Sequence, residues 1–273
     1  MLTFIPTPIG NPKDITLRSL EIFQKAELFL CEDTRETKRL LRLLSERFDF
    51  AYPQDSIFVS FNEHNGNSRI DEWGSKLSSM EVVFVSDAGM PVISDPGEIL
   101  VKYCQEEGIP YDVLPGASAV LTAYAASGFE DGNFLFFGFL PHKGSERSRK
   151  LNEALGTGYN TILYESPHRL LKLLEEISIS DPNRVLFLAK ELTKKFQTYY
   201  KSSAKEMFEL FSSENIRGEW VVVIEAKKAE RKALYIEDII DMNLAPKPKA
   251  KLLATLTNES TKSWYERLIS KSL

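Results

Sequence analysis

The stretch Val82-Val83-Phe84-Val85-Ser86-Asp87-Ala88-Gly89-Met90-Pro91-Val92-Ile93-Ser94-Asp95-Pro96-Gly97 decides the reading of this chain. Its first four residues are β-branched or aromatic, the signature of a strand buried on both faces. A loop with two glycines, two prolines and two aspartates follows, and then an amphipathic helix over residues 98–107. In an open parallel sheet, the loop leaving the carboxyl end of a strand is where small ligands bind. Gly89 and Gly97 allow close approach to the backbone, while Pro91 and Pro96 stiffen the loop.

Working outward, residues 2–5 read as a first strand, followed by a loop around Gly10 and a helix with Thr16 as N-cap. Ile15 and Leu20 form a hydrophobic staple there. Residues 28–31 form a second strand that ends in Glu32-Asp33-Thr34-Arg35, which places charge on the same rim as the 87–97 loop. Leu40, Leu41, Leu43 and Leu44 then give a helix its buried stripe. A strand at 57–61, a polar helix near 67–77 and a strand at 111–114 follow, before Pro115-Gly116-Ala117-Ser118-Ala119 opens a helix of small residues. The turn-rich residues 127–133 mark a boundary. Beyond it lie strands near 134–137, 160–164, 184–190 and 219–225. Helices near 146–155, 167–178 and 203–211 lie between them, the last with a Ser203/Glu206 capping box. The expected domains are therefore 1–128, 129–226 and a helical tail at 227–273.

The chain has 273 residues, 43% hydrophobic and 27% charged, and so can bury a substantial core. Cys31 and Cys104 lack any paired spacing, which excludes a zinc ribbon or disulfide framework and fits a reducing cytoplasm. The first residues lack a basic segment followed by a long apolar run, so no signal peptide is expected. The run 134–140 is far too short to span a bilayer. There is no G-x-G-x-x-G and no phosphate-cradling G-x-x-x-x-G-K-[ST], which disfavours dinucleotide and NTP chemistry. His64, His142 and His168 have no metal-ligand spacing, so no metal is expected. Residues 226–273 hold ten Lys/Arg against six Asp/Glu, a net +4 on a chain whose total is −5. A basic tail on an acidic body suggests a localised footprint for an acidic partner.

Several motifs in order resemble one family. They are Thr7-Pro8-Ile9-Gly10-Asn11, Glu32-Asp33-Thr34-Arg35, the 86–97 stretch, Pro115-Gly116-Ala117-Ser118-Ala119, Gly138-Phe139-Leu140-Pro141, Tyr164-Glu165-Ser166-Pro167-His168-Arg169-Leu170, Glu191-Leu192-Thr193-Lys194 and Gly218-Glu219. Together they are similar to the ribosomal RNA small-subunit methyltransferase I branch of the tetrapyrrole methylases, over about residues 1–225. The resemblance implies an α/β fold of two domains with S-adenosylmethionine (SAM) in the cleft between them, plus a small helical C-terminal segment. It implies methylation of a cytidine ribose 2′-oxygen in the decoding region of 16S rRNA within the 30S subunit, by a homodimer. Ile9, Gly10, Asp87, Gly89, Met90, Val92, Ile93, Ser118, Ala119 and Tyr164 are then expected to bind the cofactor. Met90 stands where the family usually has Thr, and Lys190 where Arg usually precedes Glu191, which loses a bidentate fork.

A ribose hydroxyl is a weak nucleophile, so a proton acceptor is needed nearby. Glu32, Asp33, Asp87, Asp95, Glu165 and Glu191 are the candidates. Glu32 and Asp33 are favoured, with Arg35 and Lys194 holding phosphates. His168 and Arg169 either contact the RNA substrate or cap the helix opened by Pro167, and Lys190 completes the expected substrate contacts. Lys143, Arg147, Arg149 and Lys150 read as a basic loop, either a solvated face or an RNA contact. Trp264 and Tyr265, beside Lys262 and Arg267, either stack bases or pack the tail. Methylation of a tetrapyrrole carbon on the same fold, or a non-catalytic SAM-binding module of the ribosome, are the competing readings.

Overall fold

The computed structural model describes residues 1–130, 132–227 and 235–270. Asp131 and most of the basic linker after Lys227 lie outside the described residues. Met1–Lys227 forms one compact unit built on two five-stranded sheets.

The first sheet holds β1 (Leu2–Phe4), β2 (Leu28–Cys31), β3 (Ile57–Ser60), β4 (Val82–Val85) and β5 (Tyr111–Val113). All its pairings are parallel, in the order β3-β2-β4-β1-β5. Every residue of β1, β2 and β4 is buried. Alternate side chains face opposite layers: Leu28, Leu30, Val82 and Phe84 enter one core, Phe29, Cys31, Val83 and Val85 the other. That two-sided burial is why these strands read as continuous apolar runs. The helices α1 (Leu17–Phe23), α2 (Thr34–Arg47), α3 (Gly66–Trp73) and α4 (Gly97–Glu107) connect them. Thr16 caps α1 by accepting the Ser19 N–H at 3.1 Å, and Asp33 caps α2 by accepting the Arg35 N–H at 2.8 Å. Each such cap stabilises its helix by about 1 kcal/mol.

α5 (Ala119–Ser127) precedes the turn-rich boundary but packs through Val120 and Ala123 on the second sheet. That sheet holds β6 (Phe134–Phe139), β7 (Asn160–Glu165), β8 (Val185–Lys190), β9 (Thr198–Ser203) and β10 (Trp220–Ile224), in the order β6-β7-β10-β8-β9. Only β6 and β7 run parallel. The helices α6 (Gly144–Gly156), α7 (Pro167–Ser180) and α8 (Ala204–Phe211) cover its other face. The Ser203/Glu206 capping box is present at α8. β9 escapes the sequence reading. It is an edge strand, more exposed than buried, and shows no apolar alternation beyond Tyr199-Tyr200.

Among residues 228–273, α9 (Ile236–Asp241), α10 (Pro246–Leu256) and α11 (Thr261–Ser270) enclose a small core of Ile239, Ala250, Leu253 and Trp264. Trp264 belongs to that core, and its indole N–H donates to the Thr257 hydroxyl at 2.8 Å. It therefore offers no free face for a base, whereas Tyr265 stays exposed. Among the described residues no helix is long and apolar enough to cross a membrane.

Candidate active site

The carboxyl ends of β1, β2 and β4 deliver their loops to one place. The β1 loop is pinned to the central loop by reciprocal Thr7–Gly89 backbone hydrogen bonds, both 3.0 Å. The Thr7 hydroxyl also donates to the Ser86 carbonyl. Asp95 folds the central loop back on itself, accepting the Val92 N–H at 2.8 Å and the Gly97 N–H at 2.9 Å. Burial raises the Asp95 pKa against the pull of those two amides. Val92 is held at φ 73°, a strained angle for a β-branched residue. Two more such residues, Glu191 at 50° and Thr193 at 64°, follow the end of β8. Strain of this kind collects at functional sites, at about 1–3 kcal/mol for each residue.

The second half meets the first at this strained segment. The Asn11 N–H donates to the Thr193 hydroxyl at 3.0 Å. A Cβ on Gly10 would lie 2.4 Å from Lys194 Cγ and 2.8 Å from the Leu192 carbonyl, so only glycine fits this junction. Between the halves opens a cavity of about 350 Å³, within the usual range for small-molecule sites. Ile9, Ala119, Ala189, Leu192 and Val221 supply apolar walls, and Glu32 and Glu219 add carboxylates. Asp95 and Glu165 also border the cavity, but their carboxylates are taken up by the Val92 and Gly97 amides and by Arg169 and Arg147. Gly89, at φ 85°, is a floor that a side chain would fill: its Cβ would stand 3.2 Å from Ile9 Cγ2.

Of the expected cofactor residues, Ile9, Gly89, Met90, Ile93, Ser118, Ala119 and Tyr164 border the cavity. Ser118 is also the N-cap of α5, and burial raises the Tyr164 pKa. Gly10, Asp87 and Val92, expected to bind the cofactor as well, do not border the cavity. Val92 packs on the first-sheet core. Of the expected catalytic residues, Glu32 borders the cavity and accepts the Asp87 N–H at 3.2 Å. Asp33 is occupied by its helix cap and by Arg35, whose Nη2 lies 2.6 Å away. The Arg35 hydrogen bonds lower Asp33 to about 2, which makes it a poor proton acceptor. Arg35 itself is solvent-exposed.

Arg169 is anchored to Glu165 at 2.7 Å and to the Leu140 carbonyl at 2.9 Å. His168 is exposed on the first turn of α7. Lys190 lies 5.4 Å over the Trp220 ring. Lys194 pairs with Glu191 and Glu219, each at 3.0 Å. The basic-loop reading needs one correction. Arg147 is 1% exposed and pairs with Glu176 at 2.8 Å and with the fully buried Glu165 at 3.7 Å. The sequence reading assigned no binding role to Phe139, Trp220 or Glu219, although all three border the cavity. Only the Gly138-Phe139-Leu140-Pro141 and Gly218-Glu219 motifs pointed towards them.

Asp87 reaches solvent, yet the surrounding protein and the Glu32 carboxylate raise its pKa from 3.8 to about 6, with Asp33 and Glu36 adding to the repulsion. The folded state thus favours the protonated form. Its contribution to stability is full below the ordinary value and lost as pH rises through about 6. The shift alone would amount to about 3 kcal/mol, which solvent screening reduces to about 1 kcal/mol. Asp87→Asn should therefore stabilise the protein by about 1 kcal/mol at about pH 8. Denaturant melts at that pH and near pH 3.5 check this, since the gain should vanish at the acid end. Burial pushes the Cys31 thiol to about 12 and Cys104 to about 11, so neither serves as a nucleophile near neutrality. Among the described residues no group of three or more His, Cys, Asp or Glu could hold a metal ion.

Known proteins show the same architecture. Residues 1–207 match the family model of the tetrapyrrole (corrin/porphyrin) methylases. A uroporphyrin-III C-methyltransferase from Thermus thermophilus superposes with a TM-score of 0.57 at 15% identity, covering 82% of this chain and 96% of that one. A diphthine synthase superposes at 0.60 and 14% identity, covering 83% and 90%. Sequence relatives lie nearer. The ribosomal RNA small subunit methyltransferase I of Campylobacter fetus is 43% identical over 99% of this chain and 100% of its own length. Its namesake from Helicobacter pylori (strain 26695) is 41% identical over 99% of both chains, and that from Thermotoga maritima 40% identical over 83% of this chain and 99% of its own. The chain therefore belongs to the tetrapyrrole methylase family and, within it, to the branch that these relatives form.

Proposed function

We propose that this protein is a SAM-dependent methyltransferase that modifies 16S rRNA, at the ribose 2′-oxygen of a decoding-region cytidine within the 30S subunit. The observation that carries the reading is the cavity between the two sheets, in a chain that matches rRNA methyltransferases along nearly its whole length. The residues present fit the cofactor: small side chains and Gly89 leave room for a flat ring, the walls are apolar, and Glu32 and Glu219 add carboxylates at the border.

When bound, SAM supplies a methyl activated on a sulfonium. Ile9, Gly89, Met90, Ile93, Ser118, Ala119 and Tyr164 form its pocket, with Gly10, Asp87 and Val92 shaping the loops that carry it. Glu32, a carboxylate on the cavity wall, accepts the hydroxyl proton. Asp33 positions Arg35, whose exposed guanidinium meets a phosphate. His168, Arg169, Lys190 and Lys194 carry the remaining substrate contacts. The active form is a cytoplasmic homodimer. Within residues 1–226 a module at 1–128 and one at 129–226 enclose the cofactor, and the tail adds basic contacts to the RNA. A tetrapyrrole substrate is disfavoured by the near-full-length likeness to rRNA methyltransferases.

The test is methyl transfer from labelled SAM to 30S subunits, to naked 16S rRNA and to uroporphyrinogen, followed by mapping of the modified nucleotide. Label confined to a 2′-O-methylcytidine of the 30S subunit is the expected result. Label on the tetrapyrrole, or none on RNA, overturns the reading.

A further inference from the structure

Three aromatic residues border the cavity, Phe139, Tyr164 and Trp220, but the Trp220 ring packs against Tyr200 and Phe211 in the core on the other face of the sheet. Trp220 is 2% exposed and Tyr164 half-buried, but Phe139 is 57% exposed. A large apolar ring left open beside a binding cavity needs a reason, and here its position is built into the backbone. The register of β6 on β7 shifts between Phe136 and Gly138. Gly138 takes φ 62°, with open space where a Cβ would be, so it serves the backbone angle and not a close contact. Bulges of this kind re-aim a side chain next to active sites, and this one sets the direction of Phe139.

The ring is also held in place. The Arg169 guanidinium lies 5.8 Å from its centroid and is itself fixed by Glu165 and the Leu140 carbonyl. The Tyr164 ring stands 5.6 Å away, tilted by 59°. The outcome is a fixed, cation-backed aromatic surface at the edge of the cofactor cavity, with more than half of its area open. Such surfaces take flat π-systems. An unstacked nucleobase is the form in which proteins read single-stranded RNA, and Arg adds a cation–π contribution.

We propose that Phe139 is the stacking platform for the base of the nucleotide that receives the methyl group. This rests on the RNA reading above. It assigns the cofactor's ring to the apolar interior and the substrate's base to the exposed face. A target that must lie on Phe139 is presented with its base out of any helical stack, which favours an unpaired or extruded nucleotide.

Phe139→Ala, Phe139→Leu and Phe139→Trp distinguish the roles. Leu keeps apolar bulk but has no flat face. With 30S subunits, Ala and Leu should each raise KM by about tenfold or more, in line with the loss of one stacked base. Trp should stay close to wild type. SAM affinity by calorimetry and the melting temperature should be nearly unchanged in all three. SAM binding weakened in parallel with KM would assign the ring to the cofactor and overturn the platform. So would Leu activity equal to wild type. Wild-type protein that leaves 30S subunits unmethylated would instead overturn the RNA reading, and the platform with it.

Discussion

Gly89→Val is expected to abolish SAM binding while the protein still folds cooperatively. Gly89 sits at φ 85° and forms the floor between the β1 loop and the central loop. Valine there is strained by its branched Cβ, at about 1–3 kcal/mol, which a domain of this size tolerates. The larger effect is steric. The new Cβ would press on Ile9 Cγ2 from 3.2 Å, and its methyls would enter a cavity of only about 350 Å³. Loss of a hundredfold or more in SAM affinity is the expected calorimetric result, roughly 2.7 kcal/mol or more. The melting temperature should fall by only a few degrees. Unchanged affinity in Gly89→Val, and in Ser118→Tyr at another lining residue, would remove the cofactor from this cavity.

The second large effect concerns stability. Arg147→Met should destabilise the protein by about 3–5 kcal/mol, because it leaves a buried carboxylate short of its countercharge. Glu165 has no exposed side-chain surface, and its Oε2 has no hydrogen-bond partner, only the Arg147 charge at 3.7 Å. Arg147 also donates to the Pro141 carbonyl at 3.1 Å, tying the segment after β6 to α6. Glu165 still keeps Arg169 at 2.7 Å, so the lower part of the range is expected. A further Glu165→Gln change should recover part of the loss by removing the stranded charge. Denaturant melts of the two variants measure both quantities. An Arg147→Met variant as stable as wild type would mean that this arginine is no more than a surface charge.

The same pair shows how far the sequence can be read. Arg147 and Arg149 are indistinguishable as letters in a basic run, yet the fold buries the first and leaves the second in solvent. The difference depends on Glu165 and Glu176, which arrive from β7 and α7. Local patterning had no access to that. Trp264 is a parallel case, since its fate depended on which apolar residues of α9 and α10 reached it.

Other features were legible because their causes are local. The β-branched runs of β1, β2 and β4 need burial on both faces, so a parallel sheet with its loops on one rim followed from composition and periodicity. The helix caps at Thr16 and Ser203 depend on side chains within three residues of the amides they satisfy. The glycine-bearing loop at 86–97 could be placed on that rim for the same reason. Tertiary structure alone decided what meets across the cavity. It brought Gly10 against Lys194, placed Thr193 beneath Asn11, and buried Asp87 beside Glu32 far enough to raise that carboxyl to about 6. It also decided that Phe139 stays open while Trp220 closes. Distance, burial and mutual charge between residues far apart in the chain set these properties, and a linear pattern carries none of them.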